Sequence, residues 1–134
     1  MARASISAFA FVPRPPGEAA IHTVSERLRA LSPQQLSLPA IVVYEVNFGL
    51  RRASRRVQLE GFARMVQVAR VIDFDAQAAD HAARIRVELE AQGRPIGPLD
   101  LMIAATARRH ACTLVTHNLR EFSRVPELVL EDWY

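Results

Sequence analysis

A chain of 134 residues, half of them hydrophobic and 23% charged, has the profile of one compact globular domain spanning residues 1–134, with no room for a second. A mean hydropathy of +0.04, and no apolar run near the ~20 residues that a spanning helix needs, exclude a membrane-embedded protein. The formal charge is +3, the pI is near 10.0 and all 17 basic residues are arginine, so nucleic acid or an acidic protein is the partner that the charge favours.

Residues 6–12 read as a short strand, stopped by Pro13, Pro15 and Pro16 with no small-residue cleavage site, so no secretion signal is expected. A helix follows, with Ala20, Val24, Leu28 and Leu31 on its apolar face. Residues 35–38 are a strand candidate, and Pro39 fits the first position of a helix over residues 40–54. A second helix over 56–70 presents Val57, Phe62, Met65 and Val66, folding back on the first near residues 53–55. Residues 71–74 read as a strand, and Asp75 as the N-cap of a helix that carries Ala79, Ala82, Ala83, Ile85, Val87 and Leu89 and ends near Gly93. The stretch 93–98 is a rigid loop, 99–109 an apolar helix, 113–116 a buried strand and 128–130 a last strand. Short strands alternating with amphipathic helices predict an α/β fold, a small parallel β-sheet flanked by α-helices, with its site at the carboxyl ends of the strands. Cys112 has no partner for an internal disulfide and sits in an apolar run, which points to a buried core residue in a reducing cytoplasm.

Three acids interrupt this pattern. Glu45 lies among Ile41, Val42, Val43, Tyr44 and Val46, where a carboxylate must find a cation, a metal or a proton; the plain alternative is a salt bridge to Arg51, Arg52 or another arginine. Asp100 falls in the first turn of its helix, where a structural role at the helix dipole is equally natural. Glu121 follows the strand over 113–116, where a parallel sheet places ligands, although a loop carboxylate is ordinarily just solvated. Converging at one sheet edge, the three could hold Mg²⁺ or Mn²⁺, which prefer oxygen ligands and promote displacement at phosphorus. No two histidines show i, i+4 spacing, and there is no phosphate-binding glycine loop and no nucleophile elbow. His117 lies beside the acids, within reach of a substrate bound there.

The run Gly93-Arg94-Pro95-Ile96-Gly97-Pro98-Leu99-Asp100-Leu101-Met102-Ile103-Ala104-Ala105, followed by Leu114-Val115-Thr116-His117-Asn118-Leu119-Arg120-Glu121-Phe122, resembles PIN-domain ribonucleases. The subgroup it is most similar to is VapC, the toxin of type II toxin–antitoxin pairs. The resemblance covers about residues 36–133 and includes Tyr44-Glu45-Val46-Asn47-Phe48-Gly49. It implies a Mg²⁺-dependent endoribonuclease, with Mn²⁺ as an alternative ion, that is cytoplasmic, homodimeric and neutralised by a VapB-like antitoxin. By motif, Glu45 and Asp100 match two metal-binding acids, and the family's fourth position falls on Asn118 or Glu121. Glu121 is preferred because it carries charge, with Thr116 as a supporting hydroxyl and Asn118 as a neutral one.

The family's first strand ends in an aspartate that this chain lacks, since Ala4-Ser5-Ile6-Ser7 stands there and no acid occurs before Glu18. Ser5 or Ser7 could hold a metal-bound water but neither replaces the charge, and the region 1–17 departs from the family pattern. The expectation is a catalytic and metal-binding set of Glu45, Asp100 and Glu121, with Arg94 and Arg120 contacting RNA and activity reduced by the missing acid. The alternative is an inactive PIN-fold module that binds antitoxin or RNA without cutting.

Overall fold

The computed structural model describes residues 36–132, and residues 10–12 by their backbone. Ser5 and the helix expected around Ala20 to Leu31 lie outside these residues. The elements are β1 (Ala10–Val12), β2 (Ser37–Pro39), α1 (Ala40–Arg52), α2 (Arg56–Val68), β3 (Arg70–Ile72), α3 (Ala76–Ala91), α4 (Pro98–Arg109), β4 (Thr113–Val115), α5 (Leu119–Phe122) and β5 (Leu130–Glu131). Pro39 closes β2 as the N-cap of α1 and does not occupy its first turn.

The strands form one sheet in the order β3-β2-β1-β4-β5. β2 pairs with β3, and β4 with β5, in parallel, as the helical connections between them require. β1 runs antiparallel to both β2 and β4, so the small parallel pairs flank a central strand of opposite direction. Because both neighbours oppose β1, β2 and β4 point the same way and end at the same sheet edge.

Helix α4 is the centre of the core. Ile103, Ala104, Ala105 and Ala107 are wholly buried, as are Leu114 and Val115 of β4 and Phe122 of α5. The three alanines let α4 approach both β4 and α3 closely, and Thr106, also buried, donates its hydroxyl to the Met102 carbonyl at 2.7 Å. On α3 the buried face is Ala78, Ala82, Ile85 and Leu89; Val87 is 71% exposed, so the apolar face read from sequence is narrower than expected. α2 buries no side chain fully, and Val57 points to solvent.

Three helices end in the same way. After α3 the Gly93 N–H donates to the Glu90 carbonyl and the Arg94 N–H to that of Leu89, with Gly93 at φ 67°. After α1 the corresponding donors are Ser54 and Arg55, to Arg51 and Leu50; after α4 they are Ala111 and Cys112, to Arg108 and Ala107. Ser54 and Ala111 therefore adopt φ 54° and 52°, in the left-handed region that penalises a Cβ. Ala111 is exposed, so Ala111→Gly is expected to raise stability by about 1 kcal/mol, read as an upward shift of the denaturation midpoint at unchanged m-value.

Asp75 caps α3 as expected, its Oδ1 accepting from the Ala78 N–H at 2.8 Å. That hydrogen bond holds the carboxyl below its ordinary pKa, helped by the positive charge of Arg109 and His110 at the facing end of α4.

Candidate functional site

β2 runs straight into α1, and Glu45 sits on the second turn of that helix. Its Oε1 is buried with no hydrogen-bond partner, and burial raises its pKa. The salt bridge to Arg51 or Arg52 is absent among the described residues, and both arginines are exposed. A carboxylate oxygen withdrawn from water without a donor is under a real penalty, which a proton or a cation relieves.

Asp100 occupies the first turn of α4, where unsatisfied N–H groups and the dipole favour negative charge. It is half-buried. Its Oδ2 lies 4.0 Å from where a Cβ on Gly97 would stand, so the side chain is folded back over the helix start.

α4 packs against β4 after a sharp reversal, so the start of α4 lies toward the edge at which β4 ends. Thr116 leaves that edge almost fully buried, and its hydroxyl accepts from the Asn118 N–H at 3.0 Å while its own N–H donates to the Glu131 carbonyl at 3.0 Å. The hydroxyl thus shapes the turn that presents Asn118 and launches α5, on which Glu121 is half-buried. Arg94 and Arg120 are exposed. Glu45, Asp100 and Glu121 therefore stand on segments that leave or approach one sheet edge. Among the described residues, however, no three His, Cys, Asp or Glu side chains assemble into a group able to hold a metal ion.

The same edge contains a contact that the sequence did not suggest. His117 Nδ1 lies 3.3 Å from Asp132 Oδ2, across the ends of β4 and β5. The parallel register that pairs Val115 with Glu131 sets the next residues, Thr116 and Asp132, side by side, and such a register is invisible before the sheet is known. Cys112 is half-buried rather than fully enclosed, and desolvation raises its thiol pKa, the opposite of what a nucleophile needs. A groove of about 300 Å³ between the end of α3 and the start of α4 is floored by Leu89, Ile96 and Leu101. Its acid, Glu90, is engaged by Arg86 at 2.8 Å.

The sequence profile of the PIN domain family matches residues 10–128. The chain is 38% identical over 115 residues to the tRNA(fMet)-specific endonuclease VapC of Shigella flexneri, covering 83% of this chain and 84% of that one. It is 35% identical to ribonuclease VapC2 of Rickettsia felis, over 73% of this chain and 74% of the relative. Among solved structures, DNA-bound VapBC from Salmonella typhimurium superposes with a TM-score of 0.74 at 34% identity, covering 86% of each chain.

Proposed function

The chain belongs to the PIN domain family, and from that premise we propose that it is a divalent-metal-dependent endoribonuclease of the VapC type, restrained by a VapB-like antitoxin and working as a homodimer. The buried, unpartnered Oε1 of Glu45 is the observation that carries the metal-binding part of this reading. Glu45 and Asp100 would hold Mg²⁺ or Mn²⁺, with Glu121 as the third acid and Asn118 as a neutral neighbour. When bound, such an ion supplies Lewis-acid polarisation and neutralises charge at the phosphate.

The chain's own residues do the rest. Hydrolysis adds water across a P–O bond, so negative charge builds on the phosphoryl oxygens. Arg94 and Arg120, both exposed, would offer forked donors to the flanking phosphates. Thr116 fixes the turn that holds Asn118 and Glu121 in place. Ala4-Ser5-Ile6-Ser7 stands where the resemblance puts the family's first acid, and neither Ser5 nor Ser7 supplies a charge, which would lower affinity for the ion. That substitution, with the lack of a three-acid group among the described residues, favours a second reading, a PIN module that binds RNA or antitoxin without cutting.

Thermal unfolding with and without Mg²⁺ tests the metal site. The raised pKa of Glu45 means that the fold binds its proton more tightly than the unfolded chain does. Its stabilising contribution is thus complete below the ordinary carboxylate range and is lost as pH rises through the folded value. At neutral pH a bound cation reverses this, and Mg²⁺ at about 100 times its Kd should add about 2.7 kcal/mol. Glu45→Gln should raise the metal-free melting temperature and remove most of the response to Mg²⁺. A wild-type chain whose melting is indifferent to both ions contradicts the proposed site.

A further inference from the structure

The outer face of α1 carries two exposed aromatic rings, and four arginines follow them. Tyr44 and Phe48 are 57% and 55% exposed, with ring centroids 6.4 Å apart and planes inclined by 23°. Arg51 and Arg52 close the helix and Arg55 and Arg56 open the next, all four exposed. Among the described residues the only ion pair these four make is Arg56 with Glu60, at 3.4 Å. Phe48 and Arg52 stand three and seven residues beyond Glu45 on the same side of the helix, about 4.5 and about 10 Å along its axis.

Two stacked rings left in water beside such a concentration of positive charge form a surface for an anionic partner with flat apolar faces. Residues 40–70 hold six arginines against two acids, Glu45 and Glu60, so a second copy of this face would meet like charge. We propose that α1 and the α1–α2 turn form the path of a single-stranded RNA segment flanking the cleavage position. Unpaired bases stack on Tyr44 and Phe48, and the following phosphates pair with Arg51, Arg52, Arg55 and Arg56. Bases within a duplex hide their faces and cannot reach the rings, so the path selects loops and single strands. This inference rests on the nuclease reading and adds the surface and the residues over which its substrate would lie.

Fluorescence anisotropy of a labelled single-stranded oligoribonucleotide and of its duplex tests the path, using the full chain in an Asp100→Asn background with RNA integrity followed on gels. Tyr44→Ala with Phe48→Ala should weaken single-strand binding about tenfold or more while barely changing duplex binding, and Tyr44→Trp with Phe48→Trp should restore it. Arg51→Ala with Arg52→Ala should reduce the slope of log affinity against log salt by about 1.4. Unchanged single-strand affinity in the alanine pair overturns the proposal, as does an equal loss for single strand and duplex. So does sedimentation showing that the pair dissociates a dimer without altering RNA binding. A chain with Asp100 intact is assayed for cleavage in parallel. If it cuts RNA while the alanine pair keeps its KM, the path alone is wrong; if it neither cuts nor binds RNA, the nuclease reading falls with it.

Discussion

Asp100→Asn is expected to lower Mg²⁺-dependent RNA cleavage by on the order of 100- to 1000-fold, the usual cost of removing one preorganised electrostatic group from a reacting centre. Asparagine keeps the shape and can still accept from the N–H groups at the start of α4, but it no longer supplies charge to a cation. Only the first turn of the helix is touched, and its favourable interaction with the dipole is a modest term. The melting temperature in the absence of metal should therefore move little while activity collapses. Single-turnover cleavage beside a melting curve separates the two effects. A variant that loses activity in proportion to its stability would assign Asp100 to the helix terminus alone.

Phe122→Ala should cost about 3–5 kcal/mol, the range for emptying a buried phenyl site. The ring is completely buried at the end of α5, packed in the cluster with Leu114 of β4 and Ile103 of α4. The same short helix carries Glu121, so the cavity would loosen the support of a candidate site residue as well as the core. Urea denaturation should show the midpoint fall at nearly constant m-value. A shift below 1 kcal/mol would mean that the surrounding helices collapse into the space, contrary to the close packing of α4.

What the sequence revealed and what it hid have separate physical causes. Gly93 announced the end of α3 because glycine is the residue suited to the left-handed position there. The equivalent end after α1 carries Ser54 in that conformation, so it does not advertise itself and the expected helix runs two residues past Arg52, whereas α4 ends at Arg109 as expected although Ala111 takes the same conformation. Asp75 declared its cap through side-chain type, and the structure gives it that hydrogen bond. Val87 and Val57 fit a helical apolar pattern yet face solvent, since periodicity cannot say which stripe meets a neighbour. The direction of β1 was not legible either, because strand pairing is a long-range property.

At the candidate site, the anomaly of Glu45 could be read from its apolar neighbours, and the structure sharpened it into an oxygen without a partner. The contact between His117 and Asp132 depends on the register of β4 with β5, and the aromatic and arginine face of α1 on knowing which side of the helix stays uncovered.

The most direct measurement is a cleavage time course on single-stranded RNA by the wild-type chain in Mg²⁺, in EDTA and after Mg²⁺ is restored, with Ser5→Asp assayed alongside. Metal-dependent cleavage that stops on chelation, returns with Mg²⁺ and is faster in Ser5→Asp is the predicted result. RNA left intact by both chains in every condition, or cut equally well in EDTA, would contradict a nuclease built on Glu45, Asp100 and Glu121.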